Sequence, residues 1–215
     1  MKQLVLPRVT DFTVTGDGSN PAWDSTSWET ITRVGGERAY ATRAKAVYSI
    51  TGIYFLVDCE DLQLTCTLTE DFADLYVEDV VEVFLWPDEK TTDYFEYEIS
   101  PLNVELPIIV TNNQGVFHGW LPWHFTGERK TRKAATVTGG VQASMAAVTG
   151  WCVEFFIPFA LLTGLGNVPP TPGMTWRGNI YRIDYDASPT HWAWDTDTKA
   201  NFHDYEHFGE LVFGE

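Results

Sequence analysis

The chain has 215 residues, a formal net charge of −16 and a pI near 4.5. This length fits one large domain, and no apolar run approaches the roughly 20 residues of a membrane span. The negative charge makes nucleic acid and anionic membrane surfaces poor partners. Nine Trp and nine Tyr raise the aromatic content to 14%. Trp outside a core serves interfaces, cation recognition, or stacking on sugars and bases. With nucleic acid disfavoured, sugar stacking becomes a leading interpretation.

The N-terminal stretch MKQLVLPRVT is too short for a signal peptide, because Pro7 and Arg8 end its apolar patch. We therefore expect either a cytoplasmic protein or a secreted or periplasmic protein whose leader has been removed. The three cysteines are Cys59, Cys66 and Cys152. An odd number excludes a full disulfide framework but leaves one pair open, and no CxxC metal spacing is present.

Short strand-like segments follow one another along the chain and are separated by Gly, Pro, Asn and Asp turns. AKAVYSI (44–50) and IYFLV (53–57) flank Thr51-Gly52 and predict a hairpin. A short helix is predicted at 158–164, with Pro at its start and Gly at its end. The pattern indicates an all-β fold, an antiparallel β-sandwich of immunoglobulin or jelly-roll type, in one domain over residues 1–215. The other predicted strands are 62–68, 79–86, 94–100, 106–111, 134–138, 141–148, 151–157, 175–184 and 209–213.

Several of these strands place a carboxylate among apolar or aromatic residues. Side chains alternate between the two faces of a strand, so Glu82 shares a face with Val80 and Phe84. In the next strand, Glu96 and Glu98 lie on one face. A buried carboxylate without a partner costs several kcal/mol or shifts its pKa. Each of these acids therefore needs a partner, and the sequence leaves several kinds open.

Two chemical roles and one structural role compete for these acids. A glycosidase needs two carboxyl groups about 5–9 Å apart, and residues two apart on a strand face are separated by about 7 Å. In a binding site, Glu82 or Glu98 would accept hydrogen bonds from sugar hydroxyls beside a stacking aromatic ring. The structural alternative is an ion pair between one of these acids and Arg182, Arg177 or Arg43.

Other chemical motifs are weak or missing in the sequence. It contains no G-x-S-x-G, HExxH, P-loop or GxGxxG pattern. Asp17 in GDGSN (16–20), and Asp195 and Asp197 in DTD (195–197), offer oxygen ligands for a structural calcium ion. Neither loop matches the EF-hand pattern, and such loops also form plain turns. His203 and His207 lie among aromatic residues and are expected to pack rather than to bind a metal.

Two aromatic segments are candidates for a stacking surface. HGWLPWHF (118–125) places Trp120 and Trp123 in a Pro-containing segment that we predict to be a loop. HWAWD (191–195) places Trp192 and Trp194 two residues apart, hence on one face if the segment is extended. Trp also packs well in cores. We nevertheless expect at least one of these four rings to form a binding surface.

Between these segments lies the basic stretch GERKTRKA (127–134). A solvated loop explains such a run of charges. The alternative is an anion-binding patch at Arg129, Lys130 and Arg132, beside the aromatic site and suited to a uronate or another acidic sugar.

Taken in chain order, these segments resemble the family 9 carbohydrate-binding modules and their family 9-like relatives. The resemblance extends over nearly the whole chain, although no single segment is specific. It implies an antiparallel β-sandwich that binds saccharide ends between two aromatic side chains, with structural calcium in some members. The segments that carry it are GDGSNPAWDSTSW (16–28), GIYFLVDCED (52–61), YVEDVVEVFLWPD (76–88), YFEYEISPLN (94–103), WCVEFFIPFALL (151–162), TWRGNIYRID (175–184), HWAW (191–194) and FHDYEHFGELVF (202–213).

The resemblance also implies roles for particular residues. Tyr76 takes the place of the first stacking aromatic, where a Trp is familiar in the family, and Glu82 is the acid within the following strand. The second aromatic wall falls on Trp192 or Trp194. Glu98 is a second acceptor, Arg182 or Asn179 would orient the sugar, and Trp120 and Trp123 would extend the stacking surface. The predicted ligand-binding set is therefore Tyr76, Glu82, Glu98, Trp192, Trp194, Trp120, Trp123, Arg182 and Asn179.

The sequence thus predicts non-catalytic binding of an oligo- or polysaccharide, without nucleic acid or membrane partners. Modules of this family usually accompany a catalytic domain, which here would be a partner enzyme on another chain. Two alternatives stay open. One is a glycoside-active enzyme that uses Glu82 and Glu98. The other is a structural or interaction domain whose aromatic residues all lie in the core.

Overall fold

The computed structural model describes residues 1–113, 115–197 and 201–215. Within this part of the chain, fourteen β-strands and one short α-helix are connected by turns and 3-10 segments. The elements are β1 (Gln3–Leu6), β2 (Glu29–Thr30), β3 (Thr32–Gly35), β4 (Thr42–Tyr48), β5 (Gly52–Glu60), β6 (Val80–Trp86), β7 (Asp93–Ile99), β8 (Glu105–Asn113), β9 (Val116–Pro122), β10 (Arg132–Thr138), β11 (Gly150–Pro158), α1 (Phe159–Leu162), β12 (Thr175–Asp184), β13 (Thr190–Ala193) and β14 (Gly209–Phe213).

The strands form two sheets, which confirms the predicted β-sandwich. The larger sheet has the order β1-β14-β12-β6-β7-β8-β9, with β13 and β3 attached beside β12. The smaller sheet has the order β10-β11-β5-β4-β2. Among the strand pairs of the described residues, β1 and β14 run parallel and the others run antiparallel. The N-terminal strand therefore closes one edge of the sandwich against the C-terminal strand.

The main core lies between the two sheets and follows the alternation of the strands. Val81 and Val83 of β6 face Phe55 and Val57 of β5 in one apolar cluster. Glu82 lies between the two valines in the sequence, so its side chain emerges on the opposite, outer face of the larger sheet. This alternation decides where the acidic side chains lie.

A second apolar layer covers most of the outer face of the larger sheet. Phe84 and Tyr94, from β6 and β7, pack there with Tyr181 of β12. The covering residues include Phe202 and Phe208, from the segment before β14. Because this layer is incomplete, it leaves a pocket above the sheet.

Two segments predicted as strands are irregular. In 62–68, the backbone N–H of Thr65 donates to Asp79, and that of Leu68 donates to Glu78. These carboxylates take N–H groups that a sheet ladder would otherwise use. The exposed segment 141–148 turns on itself and contacts 62–68 through an isolated bridge between Gln63 and Ala147.

Other local predictions can be compared directly with the structure. The hairpin around Thr51-Gly52 joins β4 to β5, and the short helix lies at Phe159–Leu162. Trp120 lies within strand β9 rather than in the predicted loop, because β9 pairs with β8 along this stretch. The three cysteines are free thiols. Among the described residues, no helix has the length and apolar character needed to cross a bilayer.

Candidate functional site

A pocket of about 400 Å³ lies on the outer face of the larger sheet. Its floor is formed by β6, β7 and β8, and its walls by residues of the 3-10 segment before β6, of β9 and of the chain that precedes β14. It is lined by Tyr76, Glu82, Glu96, Glu98, Ile108, Phe117, Trp120, Ile183, His191, Asn201, Phe202 and His203.

Three glutamates form the acidic floor of this pocket. The antiparallel register of β6 and β7 places Glu82 directly opposite Glu98 and Phe84 opposite Glu96. All three carboxyl groups therefore project from the same face, on neighbouring positions of two adjacent strands. All three glutamates are buried. We call them the carboxyl triad.

Burial raises the pKa of each member of the triad well above its usual value. Repulsion between neighbouring carboxylates adds to this shift. Glu98 raises the pKa of Glu82, and Glu96 raises that of Glu98. The triad consequently holds protons that separate, exposed glutamates would have lost, and it strongly favours any partner that supplies hydrogen-bond donors or positive charge.

The protein itself supplies few such donors. Within the described chain, neither side-chain oxygen of Glu98 nor Oε2 of Glu96 makes a well-formed hydrogen bond. The backbone N–H of Tyr76 lies near Glu98 and opposes the rise in its pKa. The arginines that the sequence offered as partners are used elsewhere. Arg182 pairs with Asp61 and Asp184, Arg177 with Glu89, and Arg43 with Asp58. The structural alternative of a glutamate–arginine pair is therefore not realised at the triad.

Aromatic rings surround the acidic floor. Tyr76 is 40% exposed at the rim, and its carbonyl oxygen accepts a hydrogen bond of 2.7 Å from the hydroxyl of Tyr185. Phe117 is 43% exposed, and Trp120 is partly buried against the outer apolar layer. Exposed aromatic rings above buried polar groups form the kind of surface on which a sugar ring stacks.

His203 joins the aromatic wall to the acidic floor. Its Nδ1 lies 2.7 Å from the hydroxyl of Tyr94 and 4.0 Å from Oε2 of Glu96. Its ring packs against Phe117 at 4.5 Å between centroids. Burial lowers the pKa of His203 to about 4, so the ring is neutral at neutral pH and does not compensate the charge of the triad.

Four of the nine predicted ligand-binding residues line the pocket, namely Tyr76, Glu82, Glu98 and Trp120. Trp192 and Trp194 do not. They are 1% and 0% exposed in the core between the sheets, where neither ring can stack on a ligand. The physical reason is that β13, which carries Trp192 and leads into Trp194, pairs with β12 on one side and β3 on the other instead of forming a surface loop.

The three other predicted residues also have structural roles. Arg182 is fully buried between the sheets, and Asn179 bonds the backbone of Asp195 through both its amide nitrogen and its amide oxygen. Trp123 packs partly against the core, and its Nε1 donates to the carbonyl of Leu161. None of them lines the pocket.

The basic segment lies away from the carboxyl triad. Lys130 and Arg132 line a separate groove beside the smaller sheet and α1. Arg132 covers the ring of Phe156 and donates to the hydroxyl of Tyr54. Arg129 stacks on Phe125, with its guanidinium carbon 3.3 Å from the ring centroid. Arg129 therefore lies beside rings of the predicted aromatic segment, but none of the three basic residues lines the pocket above the carboxyl triad.

The aspartates expected to bind calcium have protein partners instead. Asp17 accepts hydrogen bonds from Thr15 and Ser19, which lower its pKa to about 2. Asp195 accepts from the backbone N–H of Lys2, and Asp197 pairs with the N-terminal ammonium group. These contacts give no support for calcium at the three positions.

Another acidic cluster, Asp61, Asp79 and Asp184, lies beside Arg182, and its carboxylate oxygens come within 4.8 Å of one another. Each of its six oxygens accepts a hydrogen bond from a backbone N–H, from Trp151 or from the guanidinium group. Burial raises the pKa of Asp61 to about 6 and that of Asp79 to about 8. The cluster is satisfied by protein groups alone.

Several pocket residues fall outside the predicted set. Glu96 has a sequence signal, because it shares the strand face of Glu98, two residues away. Phe117, His191, Phe202 and His203 have none, because they reach the pocket through strand order and through the segment that covers the sheet. His203 was expected to pack against aromatic rings, and it does so while also approaching Glu96.

The two-layered sandwich, with its pocket on one outer face, places the chain in the class of β-sandwich modules. A family model described as carbohydrate family 9 binding domain-like matches residues 14–215. The match extends over most of the chain, so the protein belongs to this family, as the sequence resemblance indicated. A comparison with curated protein sequences gave no significant match.

Solved structures with the same fold include three that align over nearly the whole chain. A protein from Bacteroides uniformis ATCC 8492, for which carbohydrate binding has been suggested, has a TM-score of 0.80 at 16% identity, over 99% of both chains. A family 9 module from Caldicellulosiruptor kristjanssonii in complex with cellotriose has a TM-score of 0.67 at 15% identity, over 99% of this chain and 94% of that one. A family 9 module from the same organism, in complex with glucose, has a TM-score of 0.67 at 14% identity, over 100% of this chain and 97% of that one.

Proposed function

We propose that the protein binds carbohydrate without catalysis, in the pocket above the carboxyl triad. The observation that carries this proposal is a pair of buried carboxyl groups, Glu96 and Glu98, which share a pocket with exposed aromatic rings and have oxygens that make no well-formed hydrogen bond within the described chain. Sugar hydroxyls supply the missing donors, and the apolar face of a sugar ring stacks on an aromatic side chain. Membership of a carbohydrate-binding family supports the same function.

In this proposal five of the lining residues have a defined task. Tyr76 is the stacking ring at the rim, with a smaller area than the Trp familiar at this position in the family. Phe117 and Trp120 extend the apolar wall. Glu82 and Glu98 accept hydrogen bonds from ring hydroxyls. The glucose and cellotriose complexes of the Caldicellulosiruptor module support an oligo- or polysaccharide ligand for this chain.

A glycan panel followed by isothermal titration calorimetry tests this function. We expect saccharide binding to the unmodified protein and at least about fivefold weaker binding for Tyr76→Ala, since loss of one stacked ring removes about 1–3 kcal/mol. Val5→Ala, at an exposed apolar side chain of β1, serves as the control and should bind as the unmodified protein does. Binding that is unaffected by Tyr76→Ala would place the site elsewhere.

Glycoside cleavage is the second candidate, because two acids in one pocket can also perform catalysis. Glu82 and Glu98 are direct cross-strand neighbours with raised pKa values, an arrangement that suits a proton donor beside an acceptor. A reducing-sugar release assay separates the candidates. Non-catalytic binding predicts no release, whereas turnover that Glu98→Gln abolishes would establish the enzyme.

A further inference from the structure

The buried acids of this protein fall into two groups. Away from the pocket they are supplied with donors. Glu154 accepts hydrogen bonds from the backbone N–H groups of Thr15 and Gly16 and from Nε1 of Trp23. Glu105 accepts from the hydroxyls of Tyr97 and Thr131. The fold therefore satisfies buried carboxyl groups where their role is structural.

The carboxyl triad receives fewer hydrogen bonds from the described chain than these structural acids do. Glu98 is fully buried, and neither of its oxygens makes a well-formed hydrogen bond within the described chain. Its nearby polar groups are the carboxyl group of Glu96, which raises its pKa, and the backbone N–H of Tyr76, which opposes that rise. Oε2 of Glu96 also lacks a donor. Both side chains line the pocket, so a ligand bound there lies next to buried acceptors that make no well-formed hydrogen bond within the described chain. This deficit points to a ligand that is rich in donors.

Charge narrows the choice among such ligands. No Lys or Arg lies among the described residues that line the pocket. The titratable groups there other than the triad are Tyr76, His191 and His203, and burial lowers the pKa of both histidines. Three acids thus share a desolvated space with no cationic side chain. A neutral sugar would supply donors but would leave these carboxyl groups protonated, whereas a cationic ligand would supply donors and also allow a carboxyl group to release its proton. An acidic sugar would add repulsion.

We propose that this pocket selects an amino sugar, a saccharide unit with a free, positively charged amine, over its neutral counterpart. The inference rests on the proposed carbohydrate-binding function and specifies the ligand class of the same site. An ammonium group supplies three donors and one positive charge to the acceptors of Glu96 and Glu98. The exposed rings of Tyr76 and Phe117 provide aromatic faces that attract a cation at the pocket mouth.

The test compares three β-1,4-linked disaccharides that differ at carbon 2 of each sugar. These are the glucosamine disaccharide, the glucose disaccharide and the N-acetylglucosamine disaccharide, titrated by calorimetry at pH 6 and low ionic strength. We expect the glucosamine disaccharide to bind at least tenfold more tightly than the other two. We also expect this preference to decrease in 0.5 M salt, because screening weakens charge–charge attraction.

Variants assign the preference to the triad. Glu98→Gln, and separately Glu82→Gln in case the first does not fold, should remove most of the tenfold preference. Glu128→Gln makes the same change of charge at an exposed position of the separate basic groove, and should retain the preference.

The possible results distinguish the amino-sugar inference from the proposed carbohydrate-binding function on which it rests. Equal or tighter binding of the glucose disaccharide would overturn the amino-sugar inference while supporting carbohydrate binding. A preference that persists in both triad variants would overturn the assignment to the carboxyl triad. If the three disaccharides and every saccharide of the glycan panel fail to bind, both proposals are wrong.

Discussion

The carboxyl group of Glu98 is subject to two opposing requirements. A fully buried carboxylate without donors is unfavourable for folding, and its neighbours Glu82 and Glu96 make its ionisation still more costly. A neutral side chain of the same shape would fold more readily. The glutamate at this position therefore lowers stability, a cost that agrees with the proposed binding role of the pocket.

Replacement of this residue should therefore stabilise the fold. We expect Glu98→Gln to increase the free energy of unfolding at pH 8 by about 1–3 kcal/mol, because the amide is neutral and can donate to Glu96. Urea denaturation measures the change. The matched substitution Glu154→Gln should instead destabilise by about 1–3 kcal/mol, because its donors lose a charged acceptor. A loss of stability in Glu98→Gln would contradict the argument.

Substitution of Trp120 and of Trp192 should have different effects, because one ring lies at the pocket and the other in the core. Trp120 lies half-buried at the pocket, whereas Trp192 is enclosed in the core, with its ring 4.8 Å from the guanidinium carbon of Arg182. We expect Trp120→Ala to weaken saccharide binding several-fold with little change in stability. Trp192→Ala should cost about 3–5 kcal/mol or prevent folding. Thermal denaturation and calorimetry on both variants test this, and unaltered stability in Trp192→Ala would contradict the burial argument.

Among the strands, β12 connects the two sheets through one arginine. The guanidinium group of Arg182 donates to Thr42 of β4 at 3.0 Å and to the carbonyl of Glu60 at the end of β5 at 2.7 Å. It also pairs with Asp61 and Asp184. A buried charge with this many partners fixes the relative position of the sheets, and its aspartates depend on it for compensation.

Loss of this arginine should be costly. We expect Arg182→Met to decrease the free energy of unfolding by about 3–5 kcal/mol at pH 8, because buried aspartates lose their counter-charge. The loss should be smaller at pH 5, below the pKa of about 6 of Asp61 and of about 8 of Asp79, because these two carboxyl groups then hold protons. Arg43→Met removes an exposed pair with Asp58 and should cost less than about 1 kcal/mol. Equal effects of the two substitutions in urea denaturation would be inconsistent with a central role for Arg182.

Strand alternation predicted the faces of β6, β7 and β12 correctly, because it depends only on local geometry. It placed Glu82 on one face of β6, and it placed Glu96 and Glu98 together on one face of β7. It could not show that the register of β6 and β7 sets Glu82 against Glu98, since pairing is decided by residues distant in the chain. Trp192 was misplaced for a related reason. An aromatic pair at strand spacing suits a binding surface and a core equally well, and only the strand order distinguishes the two.

At the scale of the whole molecule, one apolar cluster joins the ends of the chain. It includes Leu4 near the N-terminus and Phe213 near the C-terminus, together with residues of both sheets. This continuity supports the proposal that residues 1–215 form one domain. The buried acids belong to the same unit, namely the triad in the pocket and the aspartates around Arg182. Their ionisation therefore affects the stability of the entire fold.

The sign of this effect follows from the direction of the pKa shifts. An acid whose pKa is raised on folding keeps its proton where the unfolded chain has lost it, so stability falls as pH rises towards the folded pKa. This holds for the triad and for Asp79, whose pKa rises to about 8. His203, with its pKa lowered from 6.5 to about 4, has the opposite effect between those two values. Above pH 6.5 His203 no longer contributes to the pH dependence of stability, and the buried acids determine how the free energy of unfolding changes with pH.

We therefore expect the free energy of unfolding to fall continuously between pH 6.5 and 8.5. A group that stays protonated in the folded chain over this range contributes about 1.4 kcal/mol per pH unit. Urea denaturation at several pH values and constant ionic strength measures the slope. Glu98→Gln should make it shallower, whereas the exposed substitution Glu128→Gln should leave it unchanged. A flat or rising profile in the unmodified protein would mean that the buried acids are ionised and compensated, which would also remove the electrostatic basis for amino-sugar selection.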